Sequence, residues 1–348
     1  MIGLLGFAVL LIAGRVLALP RWLVWWLAGA WWLVLMALTF PVWRMREVMA
    51  LPAPFVGGDF VGWFVLAVLV GIIAGYRVML RRIRVRMVPP VVVPEVPQGA
   101  LSAVEITRYA RHITLREIGG PGQKALKGAR VLVVGAGGLG APALMYLAAA
   151  GVGTIGVIDD DVVEVTNLQR QIIHTGDRIG LPKVQSAMIA MQGLNPYVQV
   201  RPYNRRLTAD IAELVTEYDL VLDGSDTFDT RYLVNAACVA AGVPLIAAAI
   251  TQWEGQLSLY HPARGAPCFA CVFPERPAPG LVPTCAEAGV VAPLPGVIGA
   301  LMALEAVKHI TGAGEGLAGR LMLFDGLMAD NRFIKTARRP DCPVCGKV

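Results

Sequence analysis

The sequence predicts an α/β protein in which a doubly wound, mainly parallel sheet follows a set of transmembrane α-helices. Two observations predict this fold. Short apolar runs of β type alternate with helical runs between residues 129 and 250, a pattern typical of parallel strands joined by helical crossovers. Before them, residues 1–76 carry only six charged side chains, too few for an ordinary soluble domain. The chain of 348 residues is therefore expected to combine a membrane part with a Rossmann-like part.

The first part, residues 1–87, is expected to cross the membrane about three times. The whole chain is 56% hydrophobic, with a mean hydropathy of +0.59. Three apolar stretches, residues 2–19, 22–40 and 60–76, approach the roughly 20 residues that a spanning helix needs. A cleaved signal peptide is the alternative for the first stretch. It would begin with a basic region, but no lysine or arginine precedes Arg15.

A cluster of arginines follows the third apolar stretch: Arg77, Arg81, Arg82, Arg84 and Arg86. Such a cluster stays on the cytoplasmic side and attracts anionic lipid, by about 1 kcal/mol per charge. It predicts a multi-pass protein of the inner (cytoplasmic) membrane whose C-terminal domain faces the cytoplasm. Residues 1–87 hold nine arginines and two acids, a net charge of +7. The rest of the chain carries a net charge of −1, which gives +6 for the whole chain. The basic composition therefore gives no support for nucleic-acid binding.

A proline-rich linker and a soluble domain are expected next. Residues 88–100 contain four prolines and predict an extended, fairly stiff spacer. Residues 101–348 are long enough for one α/β domain. In a doubly wound sheet, nucleotides bind at the carboxyl ends of the strands, so the residues that follow each predicted strand are the first candidates for a site.

The first predicted strand runs into a G-x-G-x-x-G motif, with glycines at Gly135, Gly137, Gly138 and Gly140. Glycines let the backbone approach phosphates, and the N-terminus of the following helix attracts their charge. The second predicted strand ends at Asp159, where a carboxylate can accept both ribose hydroxyls. Taken alone, this pattern predicts an adenine-nucleotide site, with NAD as the default ligand.

Charged residues further along favour ATP over NAD. Arg170 and Lys183 come soon after Asp159, and a triphosphate needs such cations to neutralise its β and γ groups. Asp223 and Asp226 stand at the end of another predicted strand, where a carboxylate can hold Mg²⁺. The cations and the carboxylates together predict a Mg²⁺–ATP site.

Four of the six cysteines form two Cys-x-x-Cys pairs about 70 residues apart: Cys268 and Cys271, then Cys342 and Cys345. Four thiolates in two such pairs predict a structural Zn²⁺ site that ties the C-terminal segment back onto the domain. A redox-active pair is the alternative. Cys238 lies within an apolar helical run and is expected in the core.

The ordered motifs of the domain are RYARHI (Arg108–Ile113), VLVVGAGGLG, TNLQRQ, GLPK, DGSD and TCAEAGVVAPLPGVIG. Over about residues 105–347 the sequence closely resembles the ThiF/MoeB/HesA family, bacterial relatives of ubiquitin-activating enzymes. The resemblance implies an ATP- and Mg²⁺-dependent adenylyltransferase. Its substrate would be the C-terminal glycine of a small β-grasp protein, either ubiquitin-like or a sulfur carrier, that ends in Gly-Gly. The resemblance also points to the same four zinc-binding cysteines.

The resemblance further implies roles for single residues. Asp159 would bind the ribose, and Asp226 would carry Mg²⁺. The phosphates would be surrounded by Asn167, Arg170, Gln171 and Lys183. Arg111 matches an arginine that reaches into the ATP site of the partner subunit, which implies a homodimer.

The resemblance is less definite at two positions, Cys285 and Thr227. Some relatives use the cysteine that matches Cys285 to take the activated carrier as a thioester or persulfide, while the alternative here is an incidental or buried thiol. The family usually has asparagine directly after the magnesium aspartate, but this chain has Thr227. The arginine that the family has shortly after this position is present here as Arg231.

Two other classes of function remain open from the sequence. A membrane-anchored NAD-linked oxidoreductase would share the glycine motif and Asp159, but it would leave Arg170 and Asp226 without a use. A non-catalytic scaffold that binds a β-grasp protein would keep the fold and the zinc but lack ATP chemistry. The four histidines, which show no metal-ligand spacing, are expected to be structural or on the surface: His112, His174, His261 and His309.

Overall fold

A computed structural model describes residues 7–10, 21–39, 60–86, 100–208, 210–276 and 288–346. The chain forms two compact units, Met1–Pro90 and Val91–Val348. Several predicted features lie outside the described residues: most of the first apolar stretch, the linker up to residue 99, and Cys285.

Two helices make up most of the described N-terminal unit, α1 (Arg21–Thr39) and α2 (Phe60–Arg86). They contact each other around Leu35 and Trp63, whose side chains are buried. The indole N–H of Trp32 donates to the carbonyl of Trp63 at 3.4 Å. This aromatic contact joins the two helices.

Helix α2 is long and apolar enough to cross a bilayer, judged by its length and composition. Its segment Val61–Leu80 has a mean hydropathy of 2.1, and only 6% of that window is buried. The apolar segment of α1, Leu23–Leu35, is shorter. Among the described residues, Pro293–Thr311 also passes the length test, but it packs in the core of the other unit. The number of spans and their orientation stay predictions.

The C-terminal unit is built on one eight-stranded sheet with the strand order β3-β2-β1-β4-β5-β6-β7-β8. The strands are β1 (Arg130–Val134), β2 (Thr154–Ile158), β3 (Gln199–Tyr203), β4 (Leu220–Asp223), β5 (Leu245–Thr251), β6 (Glu254–Tyr260), β7 (Arg320–Asp325) and β8 (Asp330–Lys335). Strands β1 to β5 pair in parallel. The prediction of a doubly wound, mainly parallel sheet is confirmed. The strand order reverses between β1 and β4, and ligands bind at such a switch point.

Helices cover both faces of the sheet. They are α3 (Ala103–Arg108), α4 (Ala110–Ile113), α5 (Gly119–Gly128), α6 (Gly140–Ala150), α7 (Lys183–Leu194), α8 (Ile211–Val215), α9 (Phe228–Ala241), α10 (Phe269–Val272) and α11 (Pro293–Thr311). Helices α6, α7 and α11 pack in one core, and α8 and α9 pack in the other. Strand β1 belongs to both cores, because Val131 and Val133 face one while Leu132 and Val134 face the other. Burial on both faces explains its continuous apolar run.

Three antiparallel strands, β6 to β8, extend the sheet beyond β5. The sequence did not predict them. Strand β6 begins with Glu254-Gly255-Gln256, and β8 is exposed at nearly every residue, so neither has the apolar run that marks β1, β2, β4 and β5. These strands matter for function because they widen the carboxyl edge of the sheet, where the site lies.

Candidate active site and metal centre

The glycine motif forms a tight turn between β1 and α6. Gly135 has a φ of +91°, a left-handed conformation that a side chain would strain. A β-carbon on Gly140 would lie 1.8 Å from the carbonyl oxygen of Gly135. The first turn of α6 therefore packs directly on the loop, and its N-terminus points toward the carboxyl edge of the sheet.

The two middle glycines face the segment that follows β2. A β-carbon on Gly137 would lie 3.7 Å from Nε2 of Gln171, and one on Gly138 would lie 3.8 Å from Cγ of Arg170. Arg170 is half-buried, and its Nη1 donates to the carbonyl of Thr166 at 3.2 Å. Oε1 of Gln171 is buried and finds no hydrogen-bond partner among the described residues. An unused acceptor therefore lies beside the glycine loop.

Asn167 shapes this segment from within. Its Oδ1 accepts the backbone N–H of Glu164 at 3.2 Å. Its carbonyl accepts the backbone N–H groups of Arg170 and Gln171 at 3.1 and 3.0 Å. These bonds close a short 3₁₀ turn, Val165–Asn167. Asn167 thus places the two side chains that approach the loop.

Asp159 lies against the glycine loop, directly after β2. Its Oδ2 accepts the backbone N–H of Ala136 at 2.8 Å, and its Oδ1 accepts that of Asp161 at 2.9 Å. Burial raises the pKa of Asp159, while the charge of Lys183 and the two N–H groups oppose this effect. The backbone therefore fixes this carboxylate at the position where the sequence predicts a ribose ligand.

Lys183 begins α7, and its side chain is buried. Its Nζ lies 2.7 Å from Oδ2 of Asp161, and its backbone N–H donates to the carbonyl of the same residue at 2.9 Å. No pattern in the sequence predicts a role for Asp161, which is the third of three consecutive acids. The structure instead makes it the residue that aims the lysine.

The end of β4 carries a second group of polar atoms. Asp223 is fully buried, and its Oδ1 accepts the backbone N–H of Ser225 at 2.9 Å. Asp223 Oδ2 and Ser225 Oγ are buried without a hydrogen-bond partner in the described structure. Asp226, predicted to hold Mg²⁺, is exposed just beyond them. Gly224 packs against Gly135 of the glycine loop, so the two strand ends meet.

Thr227 has a local structural role that accounts for it in place of asparagine. It is the N-cap of α9, and its Oγ1 accepts the backbone N–H of Thr230 at 3.3 Å. Threonine and asparagine both serve as N-caps. One turn further, Arg231 is buried and its guanidinium donates to the carbonyl of Ser225. Both residues hold the backbone on either side of Asp226.

His174 joins the glycine loop to α7. Its Nε2 lies 2.9 Å from the carbonyl of Ala136, and its Nδ1 lies 2.9 Å from Oγ of Ser186. A carbonyl only accepts, so Nε2 carries the proton and Nδ1 accepts from the serine hydroxyl. Burial lowers the pKa of His174 from 6.5 to about 4. The ring is therefore neutral at pH 7 and serves as a fixed bridge.

The residues at this edge fit a nucleoside triphosphate with Mg²⁺. Lys183 and Arg170 supply positive charge, and the glycines of the loop let phosphate groups approach the backbone closely. Buried acceptors on Gln171 and Asp223 lack partners among the described residues. A buried polar atom without a partner is costly, and it commonly marks a ligand position.

Two predicted residues fall outside this cluster. Arg111 is exposed on α4, so the described residues of its own chain do not block its predicted reach into a partner subunit. Cys285 lies outside the described residues, and both interpretations of it remain.

The four cysteines of the two Cys-x-x-Cys pairs meet in one buried cluster. The distance between Sγ atoms is 3.7 Å from Cys268 to Cys271, 3.6 Å from Cys268 to Cys342, and 3.4 Å from Cys271 to Cys345. Tetrahedral zinc with Zn–S bonds of about 2.3 Å has S···S edges of about 3.8 Å, whereas a disulfide has about 2.05 Å. The backbone N–H of Arg339 donates to Cys271 at 3.4 Å. The cluster fits zinc better than a redox pair.

A groove of about 450 Å³ extends from the end of β4 across the antiparallel strands. Phe228 and Arg231 of α9 line it, as do Thr251 at the end of β5 and Phe324 in β7. It therefore begins a few residues from Asp226 and runs along the carboxyl edge of the sheet. Its lining combines aromatic side chains with charged ones such as Glu254 and Arg332, a mixture that suits an extended peptide.

The residues of this site lie within a segment that matches a known protein family. The model of the ThiF family matches residues 109–344, which is more than half of the chain. The chain belongs to the ThiF family. It is an adenylyltransferase of the ubiquitin-activating-enzyme type.

Relatives in this family agree closely with the C-terminal unit. The chain is 51% identical over 247 residues to the sulfur carrier protein adenylyltransferase of Thermus thermophilus, covering 70% of this chain and 91% of that protein. It is 48% identical over 249 residues to the SAMP-activating enzyme E1 of Haloferax volcanii, covering 71% and 92%. It is 50% identical over 264 residues to the adenylyltransferase and sulfurtransferase MOCS3 of Bos taurus, covering 75% and 57%.

Solved structures of one ThiF-like enzyme show the same fold. The structure of MccB from E. coli with ATP has a TM-score of 0.60 and 26% sequence identity, and the match covers 69% of this chain and 75% of that one. MccB with N-formylated MccA has a TM-score of 0.62. With the chain placed among adenylyltransferases, the NAD-linked oxidoreductase and the non-catalytic scaffold no longer compete as explanations.

Proposed function

We propose that the C-terminal unit uses Mg²⁺–ATP to adenylate the C-terminal glycine of a small ubiquitin-like or sulfur-carrier protein. The observation that carries the proposal is the meeting of Arg170, Lys183 and Asp159 around the glycine loop, beside buried acceptors that have no partner in the part of the chain that the structure describes. Relatives at about 50% identity are named for activating sulfur carriers or SAMP, which supports the choice of acceptor.

The reaction follows from charge and position. The terminal carboxylate of the carrier attacks the α-phosphorus in line, an acyl-adenylate forms, and pyrophosphate leaves with the electron pair of the broken P–O bond. A carboxylate is already an anion at pH 7, so no general base is needed. Lys183 and Arg170 neutralise the phosphate charge that develops, and such preorganised charge is commonly the largest part of catalysis. Asp226 would hold Mg²⁺, which supplies further positive charge to the phosphates.

The groove next to α9 is the proposed path of the carrier tail. It leads from the exposed face of β8 to Arg231, close to Asp226. Two glycines at the end of the tail carry no side chains, so they would need little room beside the glycine loop. The hairpin of β7 and β8 exposes Leu327, Met328 and Phe333, which would contact the body of the carrier.

The assembly and location of the enzyme form part of the proposal. Arg111 is exposed, which supports a homodimer in which it completes the partner's site. The apolar segment of α2 and the arginine cluster at the C-terminal end of the same helix support a membrane anchor with the C-terminal unit in the cytoplasm.

The test is ATP–pyrophosphate exchange by the full chain in a neutral detergent, with candidate β-grasp proteins that end in Gly-Gly. We expect exchange only when the carrier and its terminal glycine are present. Asp226→Ala and Arg170→Ala should lower the rate about 100-fold or more, and Arg130→Ala, an exposed charge on the opposite edge, should not.

Two outcomes would contradict the proposal in different ways. Full activity of Asp226→Ala would contradict the assigned site. Exchange driven by a short peptide, with no response to any carrier, would contradict the carrier as the carboxylate substrate while keeping the adenylation chemistry.

A further inference from the structure

A second cleft lies on the edge of the sheet opposite the glycine loop. It has a volume of about 280 Å³ and is formed by the end of β6, the last turn of α11 and the glycine-rich segment after that helix. Tyr260, at the end of β6, pairs with Leu245 at the start of β5. The cleft is therefore at the amino edge of the parallel strands, away from the nucleotide site.

The side chains that line this cleft are mostly cationic or hydrogen-bond donors: His261, Arg264, Lys308 and His309, with Glu305 as the carboxylate. The rings of His261 and His309 meet edge to face, with centroids 6.0 Å apart. The pKa of each histidine is lowered, first by burial and then by neighbouring positive charge, including that of Arg264. The cleft thus has a positive potential even with both rings neutral.

Glu305 pairs with Lys308, so these two charges offset each other and the net positive charge of the cleft comes from Arg264. Glu305 is buried, its Oε2 accepts from Nζ of Lys308 at 3.0 Å, and its Oε1 accepts the backbone N–H of Leu317. Arg264 is exposed and takes part in none of the ion pairs among the described residues. One arginine without a counter-charge therefore faces the cleft together with two imidazole rings.

We propose that this cleft binds a phosphate monoester. Arg264 supplies a forked guanidinium that matches two phosphate oxygens, and His309 and Lys308 line the same cleft. A volume of about 280 Å³ corresponds to roughly nine water-sized units of about 30 Å³. That is more than a bare phosphate ion needs, so a small organic group attached to the phosphate fits.

The position of the cleft suggests two sources for this ligand. Ala100, the first described residue of the C-terminal unit, accepts a hydrogen bond from Nζ of Lys127 at 3.2 Å. Lys127 lies in the last turn of α5, directly before the start of β1 at Arg130. Ala100 therefore lies near the amino edge of the parallel strands, the same edge as the cleft. The phosphate could therefore belong to a lipid headgroup or to a soluble metabolite, which share the monoester chemistry.

The test is isothermal titration of the full chain in neutral detergent with glycerol 3-phosphate. We expect one site per chain, at least ten-fold weaker binding in Arg264→Ala and in His309→Ala, and no change in the control Arg130→Ala. Arg264 is exposed, so its replacement leaves the fold intact. Arg170→Ala should also bind normally, which separates this site from the proposed phosphate site at the glycine loop.

Three results would overturn the proposal: wild-type affinity in Arg264→Ala, loss of binding in Arg170→Ala, or no saturable binding of glycerol 3-phosphate at about 1 mM. A comparison with dihexanoyl phosphatidic acid then identifies the source. Ten-fold tighter binding of the lipid assigns a membrane headgroup, and equal binding assigns a soluble phosphate monoester.

Discussion

Acid should weaken the fold through His174, which links the glycine loop to α7. Its pKa is about 4 in the folded chain against 6.5 for a free histidine, so the unfolded chain binds a proton that the folded chain refuses. The stability is fully present above pH 6.5 and is lost as the pH falls toward 4. One pH unit within this window corresponds to about 1.4 kcal/mol, so the loss at pH 5.5 should be about that size.

The effect is isolated by comparing the protein with His174→Gln, which cannot titrate. The unfolding free energy of each is measured by urea denaturation at pH 7.5, 6.5 and 5.5. Other groups titrate equally in both proteins, so the difference between them should shrink by about 1.4 kcal/mol between pH 7.5 and 5.5. A difference that stays constant over this range would refute the neutral, buried bridge between Ala136 and Ser186.

Three further predictions concern other contacts. Gly140→Ala should abolish ATP binding in a nucleotide titration, because its β-carbon would lie 1.8 Å from a carbonyl of the loop; Gly193→Ala, with nothing within 4 Å, should bind normally. Cys268→Ser should lower the zinc content measured by atomic absorption and reduce the melting temperature, and a normal zinc content would contradict the four-thiolate site. Glu105→Ala should cost about 3 kcal/mol of unfolding free energy, because it leaves the buried side chain of Lys127, which pairs with it at 2.8 Å, without its counter-charge; Arg116→Ala, in an exposed pair, should change stability by less than about 1 kcal/mol.

The sequence predicted the parallel half of the fold because those strands are buried on both faces. Val131 to Val134 alternate between the two cores, so the whole run is apolar and easily recognised. Strand β8 has the opposite property, since nearly every residue of it is exposed. Its pairing with β7 depends on contacts between distant parts of the chain, which no local pattern reveals.

The sequence predicted the site residues whose type is typical of nucleotide binding. It did not predict the residues that only hold another side chain or loop in position. Asp159 and Lys183 carry their chemistry in their own side chains, and the glycines act through the close approach that a missing side chain allows. Asp161 stands in a row of three acids that resembles a solvated loop, and only the fold shows that it holds Lys183. His174 was predicted only as structural or on the surface, since its partners Ala136 and Ser186 lie 38 and 12 residues away.

The cysteine cluster also has a consequence for how the chain is made. Cys342 follows Cys268 by 74 residues, and a ribosome adds roughly 5–20 residues per second. The first pair therefore waits roughly 4–15 s for the second, with two thiols open to solvent or to oxidants. Metal capture comes after β7 and β8 have been synthesised. A cell short of zinc would then accumulate chains whose nucleotide half has folded while the C-terminal segment stays undocked and open to proteases.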